Sequence, residues 1–361
     1  MPVHDILSRR QALSVEIEAS LAYEFLMTLC ACGDIEEGYA TYDVGKAWFD
    51  ALYAKASPGL LADMEQFGFH SHEIWDHILG LAYNCPAPRD VPSFIAFLQA
   101  TDPLELRLHM LGYYLREHRR VTPPDVIYAA AQGDTEAQKK LLRTSFPDDT
   151  DWQRTLRWLM PQDAATMKER ILEIARGWYE EVFREQEAHI LPILARDVDA
   201  NRALQATLSP EQLIEACTGW EYVPEPGIRR VVLIPSYVLR PWNSDAESYD
   251  TRIIGYPVAD ESISADNHAP PVRLLRLAKA LADERRLRIL KKLSAGSYTL
   301  QEVADDFGVA KSTMHHHLIT LRSAGLVRMR TSDKRYSLRR DAIENLSELL
   351  SAYLEENSQK E

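Results

Sequence analysis

From Met1 to about Thr218, apolar residues recur every three and four positions, as in Leu104, Leu108, Leu111 and Leu115, with Leu106 between the first two, or Met167, Ile171, Ile174, Trp178 and Val182. That spacing places them on one face of a helix. Turn chemistry interrupts it at Pro58-Gly59, from Asn84 to Arg89, at Thr122-Pro123-Pro124 and from Phe146 to Asp149. The pattern predicts a bundle of about eight or nine helices with short connections. All seven tryptophans precede residue 243, so the large core is expected there. Near Ile228 the period changes: IRRVVLIPSYVLRPW and TRIIGYPV are β-branched and aromatic, and predict two or three strands within 228–257. Pro235 and Pro241 point to edge strands or bends, because proline cannot donate to a ladder. The stretch 259–271, short of large apolar residues and closed by two prolines, reads as a linker. The resulting domains are a helical regulatory or effector-type domain at 1–258, the linker, and a domain at 272–361.

In that last domain the elements are short and ordered. A helix carries Leu274, Leu277 and Leu281, and a second runs from Asp283 to about Leu293 until Gly296 stops it. Thr299-Leu300-Gln301-Glu302 is a capping box, which fixes the start of a third helix with Val303, Ala304 and Phe307 on its apolar face. Gly308 supplies a permissive turn residue, and the fourth helix, from Lys311 to Ala324, turns Met314, Leu318 and Leu321 inward. Residues 326–338 alternate, turn at Thr331-Ser332-Asp333-Lys334 and return, as a hairpin does. A last helix from Asp341 to about Glu355 bears Ile343, Leu346, Leu350, Tyr353 and Leu354, a stripe that asks for a partner surface. The fold class is mainly α: a helical domain with a small β-hairpin or sheet element, then a C-terminal winged helix-turn-helix of α+β type.

At 361 residues the chain is long enough for two cores. Its net charge of −13 speaks against nucleic acid until it is divided. Residues 272–341 hold 16 Lys and Arg against 7 Asp and Glu, a net of +9, and the remainder carries −22. A basic module joined to an acidic body favours a polyanion partner at one end. Four cysteines, Cys30, Cys32, Cys85 and Cys217, make no disulfide framework, and with no signal-like or spanning apolar run the expected location is cytoplasmic, off the membrane.

With Met314, Leu318 and Leu321 inward, Ser312, His315, His316 and Arg322 point elsewhere on the fourth helix, and Thr313 lies near its exposed start. Basic and hydroxyl groups there suit the major groove of double-stranded DNA, with side chains at base edges and Lys311 on phosphate. The hairpin cations Arg328, Arg330, Lys334 and Arg335 are the further phosphate candidates. Three successive histidines diverge around a helix, so His315, His316 and His317 cannot chelate one ion. His317, beside Leu318, is expected to be half-buried and hydrogen-bonded.

LADERRLRILKKL, TLQEVADDFGVAKSTMHHHLITLRSAGLV and VRMRTSDKRYSL resemble the winged helix of ArsR-type bacterial transcriptional regulators over roughly 80 residues. Ser312, Thr313, His317, Leu318, Leu321, Ala324, Gly325 and Leu326 stand at family positions, whereas Ala310 and His315 replace frequent serines. The resemblance implies a homodimer through the first and last helices of the domain. Metal-sensing members carry Cys-x-Cys where this chain has Gln301-Glu302-Val303-Ala304, or Asp/His pairs on the last helix, which has no histidine here. The segment VVLIPSYVLRPW with IIGYPV is similar to an uncharacterised domain found ahead of some such winged helices.

Two clusters could be mistaken for metal sites. Cys30 and Cys32 do not converge on one helical face, and His70, His72, Glu73, Asp76 and His77 lack a third element of matching spacing. No metal or cofactor is expected. No Gly-rich phosphate loop, nucleophile elbow or paired-carboxylate signature appears, so no enzyme is expected either. The reading is a dimeric, sequence-specific transcriptional regulator, with a small-molecule effector for residues 1–258 left possible. The competing class is a sensor or enzyme in 1–258 with the winged helix as accessory.

Overall fold

The computed structural model describes residues 13–33, 42–67, 70–144, 150–263, 270, 272–330, 334–344 and 346–355. In chain order the elements begin with β1 (Ser14–Ile17), α1 (Leu21–Gly33), α2 (Gly45–Tyr53), α3 (Pro58–Phe67), α4 (His70–Tyr83), α5 (Val91–Ala100) and α6 (Pro103–Met110). There follow α7 (Arg116–Val121), α8 (Pro124–Ala131), α9 (Thr135–Thr144), α10 (Thr150–Leu159), α11 (Ala164–Trp178), α12 (Glu187–Gln205) and α13 (Pro210–Thr218). Then come β2 (Trp220–Glu221), β3 (Arg230–Ser236), β4 (Ser244–Ser248), β5 (Thr251–Pro257) and α14 (Asp260–Ile263). The chain closes with α15 (Val272–Leu281), α16 (Glu284–Leu293), β6 (Tyr298–Thr299), α17 (Leu300–Phe307), α18 (Lys311–Ser323), β7 (Val327–Arg330), β8 (Arg335–Leu338), α19 (Arg340–Glu344) and α20 (Leu346–Glu355). The fold is mainly α with two small sheets, and the C-terminal elements form a winged helix-turn-helix.

The chain divides into two compact units, 1–198 with 227–257, and 199–226 with 258–361. The second unit therefore holds α13 and β2 in addition to the stretch after 257. Of the stretch expected to link the domains, Asp260–Ile263 is helical, and 264–269 and 271 lie outside the described residues.

In the first unit, helices surround a four-stranded sheet of order β1-β3-β5-β4, parallel except for β4. Thirteen α-helices precede residue 219 among the described residues, more and shorter than the apolar period alone predicts. Pro58, read as a turn, is the first residue of α3, where its missing N–H costs nothing. The expected turn at 146–149 lies outside the described residues. The stripe Met167, Ile171, Ile174, Trp178 and Val182 is buried as its spacing predicts, although its last turn, Tyr179–Phe183, is a π-helix. α4 lies close on β4 at Gly80, where a Cβ would come within 2.4 Å of the Glu247 carbonyl oxygen.

One strand falls in the region read as wholly helical, and another, β2, lies just beyond its end at about Thr218. β1 alternates exposed Ser14 and Glu16 with buried Val15 and Ile17, and pairs in parallel with Arg230–Leu233. β2 belongs to the second unit, and so does Trp220, which is 8 % exposed and lies outside the large core. Pro235 also departs from expectation, since β3 is a central strand. Pairing with β1 ends where Glu18 N–H donates to the Leu233 carbonyl, and the alternation of β3 turns position 235 to that same side, beyond the end of β1. The N–H that proline lacks would have had no ladder partner there.

Among the described residues the second unit joins eight helices, α13 to α20, and the end of α12 to the sheet β2-β7-β8-β6. Leu277, Ala280, Ile289, Leu290, Leu293, Val303, Ala304, Met314, Leu318, Leu321 and Leu326 form its core.

Candidate nucleic-acid interface

The geometry of α18 follows from its two neighbours. Thr299 and Glu302 close the expected capping box: the Glu302 amide donates to Thr299 Oγ1 at 3.2 Å, and the Thr299 amide donates to Glu302 Oε2 at 2.7 Å. α17 ends at Gly308, whose φ of 62° is left-handed and permits the sharp turn into α18. Lys292 fastens α16 to this pair, reaching Asp306 at 2.8 Å with its ammonium 4.4 Å from the centre of the Tyr298 ring. Met314, Leu318 and Leu321 are fully buried, so the rotation of α18 about its axis is set by packing.

That rotation exposes Lys311, Ser312, Thr313, His315 and His316 on the first half of the helix. Ala310 occupies the cap position in extended conformation and offers no side-chain acceptor to the first-turn amides. Uncapped first-turn amides with Lys311 beside them are the groups that an anion site at a helix start uses. Thr320 Oγ1 donates to the His316 carbonyl at 3.0 Å, tying that side chain to the helix itself. His317 is half-buried, as its neighbour Leu318 implies, but its buried Nδ1 has no hydrogen-bond partner. Burial pushes its imidazole below the ordinary value, partly offset by Asp283, so the neutral ring is the stable form.

Of the other expected cations, Arg322, Arg328, Arg330 and Arg335 are packed or paired within the unit. Arg322 is half-buried, and burial holds its guanidinium below the usual value, with the Tyr336 hydroxyl partly opposing the shift. Arg335 forks onto Glu302, Nη1 at 3.1 Å and Nη2 at 3.0 Å, and Nη1 also donates to the Ser297 carbonyl at 2.8 Å. It braces β8 against the start of α17, and it helps hold the Glu302 carboxyl below its ordinary value, after the Thr299 amide. Arg328 Nη1 lies 2.7 Å from Glu215, and Arg330 Nε 3.2 Å from Glu221. Lys334 is exposed at the edge of the wing turn with φ of 53°, while 331–333 lie outside the described residues. The two partners from α13 and β2 were beyond sequence reasoning, because they stand more than a hundred residues from the arginines they meet.

The apolar stripes on the terminal helices of the unit divide. Leu277 is buried, but Leu275, Ile343, Leu350 and Leu354 are 41 to 61 % exposed, and α15 packs beside α20.

Elsewhere, Cys30 and Cys32 are buried, and burial pushes the Cys32 thiol up to about 12, which makes it a poor thiolate donor. His77 Nδ1 lies 3.0 Å from the Met110 carbonyl, whereas the side chains of His70, His72 and Glu73 lie outside the described residues. Among the described residues no three His, Cys, Asp or Glu converge in a way that could hold a metal ion. Leu106, Arg107, Met110, Leu159 and Met167 line a small pocket in the first unit. No described helix is long and apolar enough to cross a membrane.

Comparison with known proteins finds one family, matched within the second unit. Residues 283–329 match the family described as bacterial regulatory protein, arsR family. No curated protein and no solved structure matches the chain significantly. The matched span runs from the cap of α16 into β7, and so includes the whole helix-turn-helix. It supports a DNA-binding transcriptional regulator of bacterial type.

Proposed function

We propose that the second unit reads duplex DNA with the first half of α18 in the major groove. Ser312, Thr313, His315 and His316 meet base edges, while Lys311 and the first-turn amides take phosphate and Lys334 reaches a neighbouring phosphate from the wing. One observation carries this reading. A fully buried face at Met314, Leu318 and Leu321 forces an exposed polar and basic face at the start of a helix that lies inside the matched arsR-family span. Arg335 contributes by fixing the wing to α17, and Arg322 by packing, so neither is assigned a DNA contact.

The active form is a homodimer. Leu275, Ile343, Leu350 and Leu354 are too apolar to favour water, and a second copy meeting α15 and α20 covers them while pairing two α18 helices for two half-sites. Sedimentation of the full chain with Leu350→Glu/Leu354→Glu is expected to shift it toward monomer.

The salt dependence of duplex binding tests the phosphate assignment. Lys311→Ala and Lys334→Ala are each expected to lower the slope of log K against log salt by about 0.9, or about twice that per dimer. They should weaken all sequences alike, by about tenfold at low salt. Unchanged slopes in both variants would remove these residues from the interface.

A further inference from the structure

The wing strand β7 is covered on its outer edge by a segment that a winged helix does not need. α13 opens with a capping box in which the Gln212 amide donates to Ser209 Oγ and the Ser209 amide to Gln212 Oε1. It ends at Gly219, with φ of 67°, and the Trp220 amide then donates to Thr218 Oγ1 at 3.0 Å. This turn delivers β2 parallel to β7, with Trp220 opposite Met329 and Glu221 opposite Arg330. Trp220 and Met329 are each 8 % exposed, so the seat is apolar at its centre. Its flanks are ionic. Glu215 takes Arg328 and Glu221 takes Arg330, on side chains that remain about a third exposed.

A guanidinium accepts carboxylate or phosphate with the same fork of donors, so the two compete for it. The two-residue strand β2 holds few backbone bonds, which makes it the kind of element that opens locally well below global unfolding. We propose that α13 and β2 form an acidic clasp on the wing, an autoinhibitory contact that withholds Arg328 and Arg330 from DNA phosphate until β2 is released. The proposal rests on the DNA-binding reading above. α12 and α13 are separated by four residues, and the division between the units falls within α12, so the clasp is joined by the chain to the first unit. A signal received there would act on DNA affinity by favouring one state of the clasp over the other.

The test uses the full chain with Glu215→Gln/Glu221→Gln, which keeps side-chain shape and removes the carboxylate charge. Binding to a random-sequence duplex is measured between 50 mM and 200 mM salt, by the wild type, this variant, and the same variant in an Arg328→Ala/Arg330→Ala background. The clasp predicts affinity about tenfold higher or more at low salt, and a slope steeper by up to about 1.8 per protomer, for the two arginines freed. Both gains should vanish in the arginine-free background. Each single Gln substitution should give about half of the slope change, which keeps the test available if the double variant does not fold. Folded variants that bind as the wild type does, or bind more weakly, would overturn the proposal. So would a gain that persists without the arginines, since it would then reflect only the loss of distant negative charge. If no protein binds, wild type included, the DNA-binding reading itself fails and the clasp's role in it falls too, an outcome distinct from equal binding by all.

Discussion

Replacing Leu318 by alanine is expected to cost the second unit about 3 kcal/mol, within the ~2–5 kcal/mol range for a large-to-small change in a core. Leu318 is fully buried between Met314 and Leu321, on the one helix whose rotation decides which side chains reach solvent. Leu318→Asp should cost more, because an unpaired carboxylate would be buried there. A domain of this size has roughly 5–15 kcal/mol in total, so the aspartate variant is expected to lose the unit's fold. Amide exchange read on peptides from 311–323 checks this, with peptides from 171–198 as the internal control. Protection equal to the wild type's in both variants would mean that α18 is not held by this face.

The second large effect is a pH dependence centred on Glu24. Its carboxylate is wholly buried on α1 and accepts from the backbone amides of Tyr237 at 3.1 Å and Val238 at 2.9 Å, and from the Ser236 hydroxyl. Burial outweighs these donors and pushes the group up to about 7, from an ordinary value of 4.5. Between those two values the folded chain keeps a proton that the unfolded chain has lost, so rising pH favours unfolding. The favourable contribution is complete below 4.5 and gone above about 7, a change of about 3 kcal/mol. Buried His109 and His118 act in the opposite sense, since burial lowers both and they must gain protons on acid unfolding. The difference in unfolding free energy between the wild type and Glu24→Gln therefore isolates Glu24. That difference is expected to move by about 3 kcal/mol against the wild type between pH 4.5 and pH 7.5. Parallel curves would show that the donors hold the carboxylate charged throughout.

Much of the helix-turn-helix was legible because its determinants are local. The capping box at Thr299 and Glu302, the left-handed Gly308 and the stripe Met314, Leu318, Leu321 each lie within a few residues of the feature they specify. What was missed depends on partners far along the chain. Ser14–Ile17 shows only four residues of alternation, and the strand that makes it a strand begins at Arg230. The charges of Arg328 and Arg330 read as a wing ready for phosphate, since nothing near them in sequence shows that Glu215 and Glu221 are folded back upon them. Arg322 departs from expectation for a nearer reason: helical period placed it off the core face, but β8 brings Tyr336 close to it and half-buries it. Pro235 misled because the rule against proline in a central strand applies only where the facing strand continues, and β1 ends first.

On the proposed reading, the exposed first half of α18 reads base sequence. Selection of bound sites from a random duplex library by the full-length protein, by His315→Ala and by His316→Ala tests it most directly. A base contact is worth roughly 1–3 kcal/mol of discrimination, so each histidine variant is expected to relax preference by about five- to a hundredfold at one position per half-site, with little loss of total affinity. Recovery of the same sites with the same preferences by the wild type and both variants would contradict the assignment of α18 as the recognition helix.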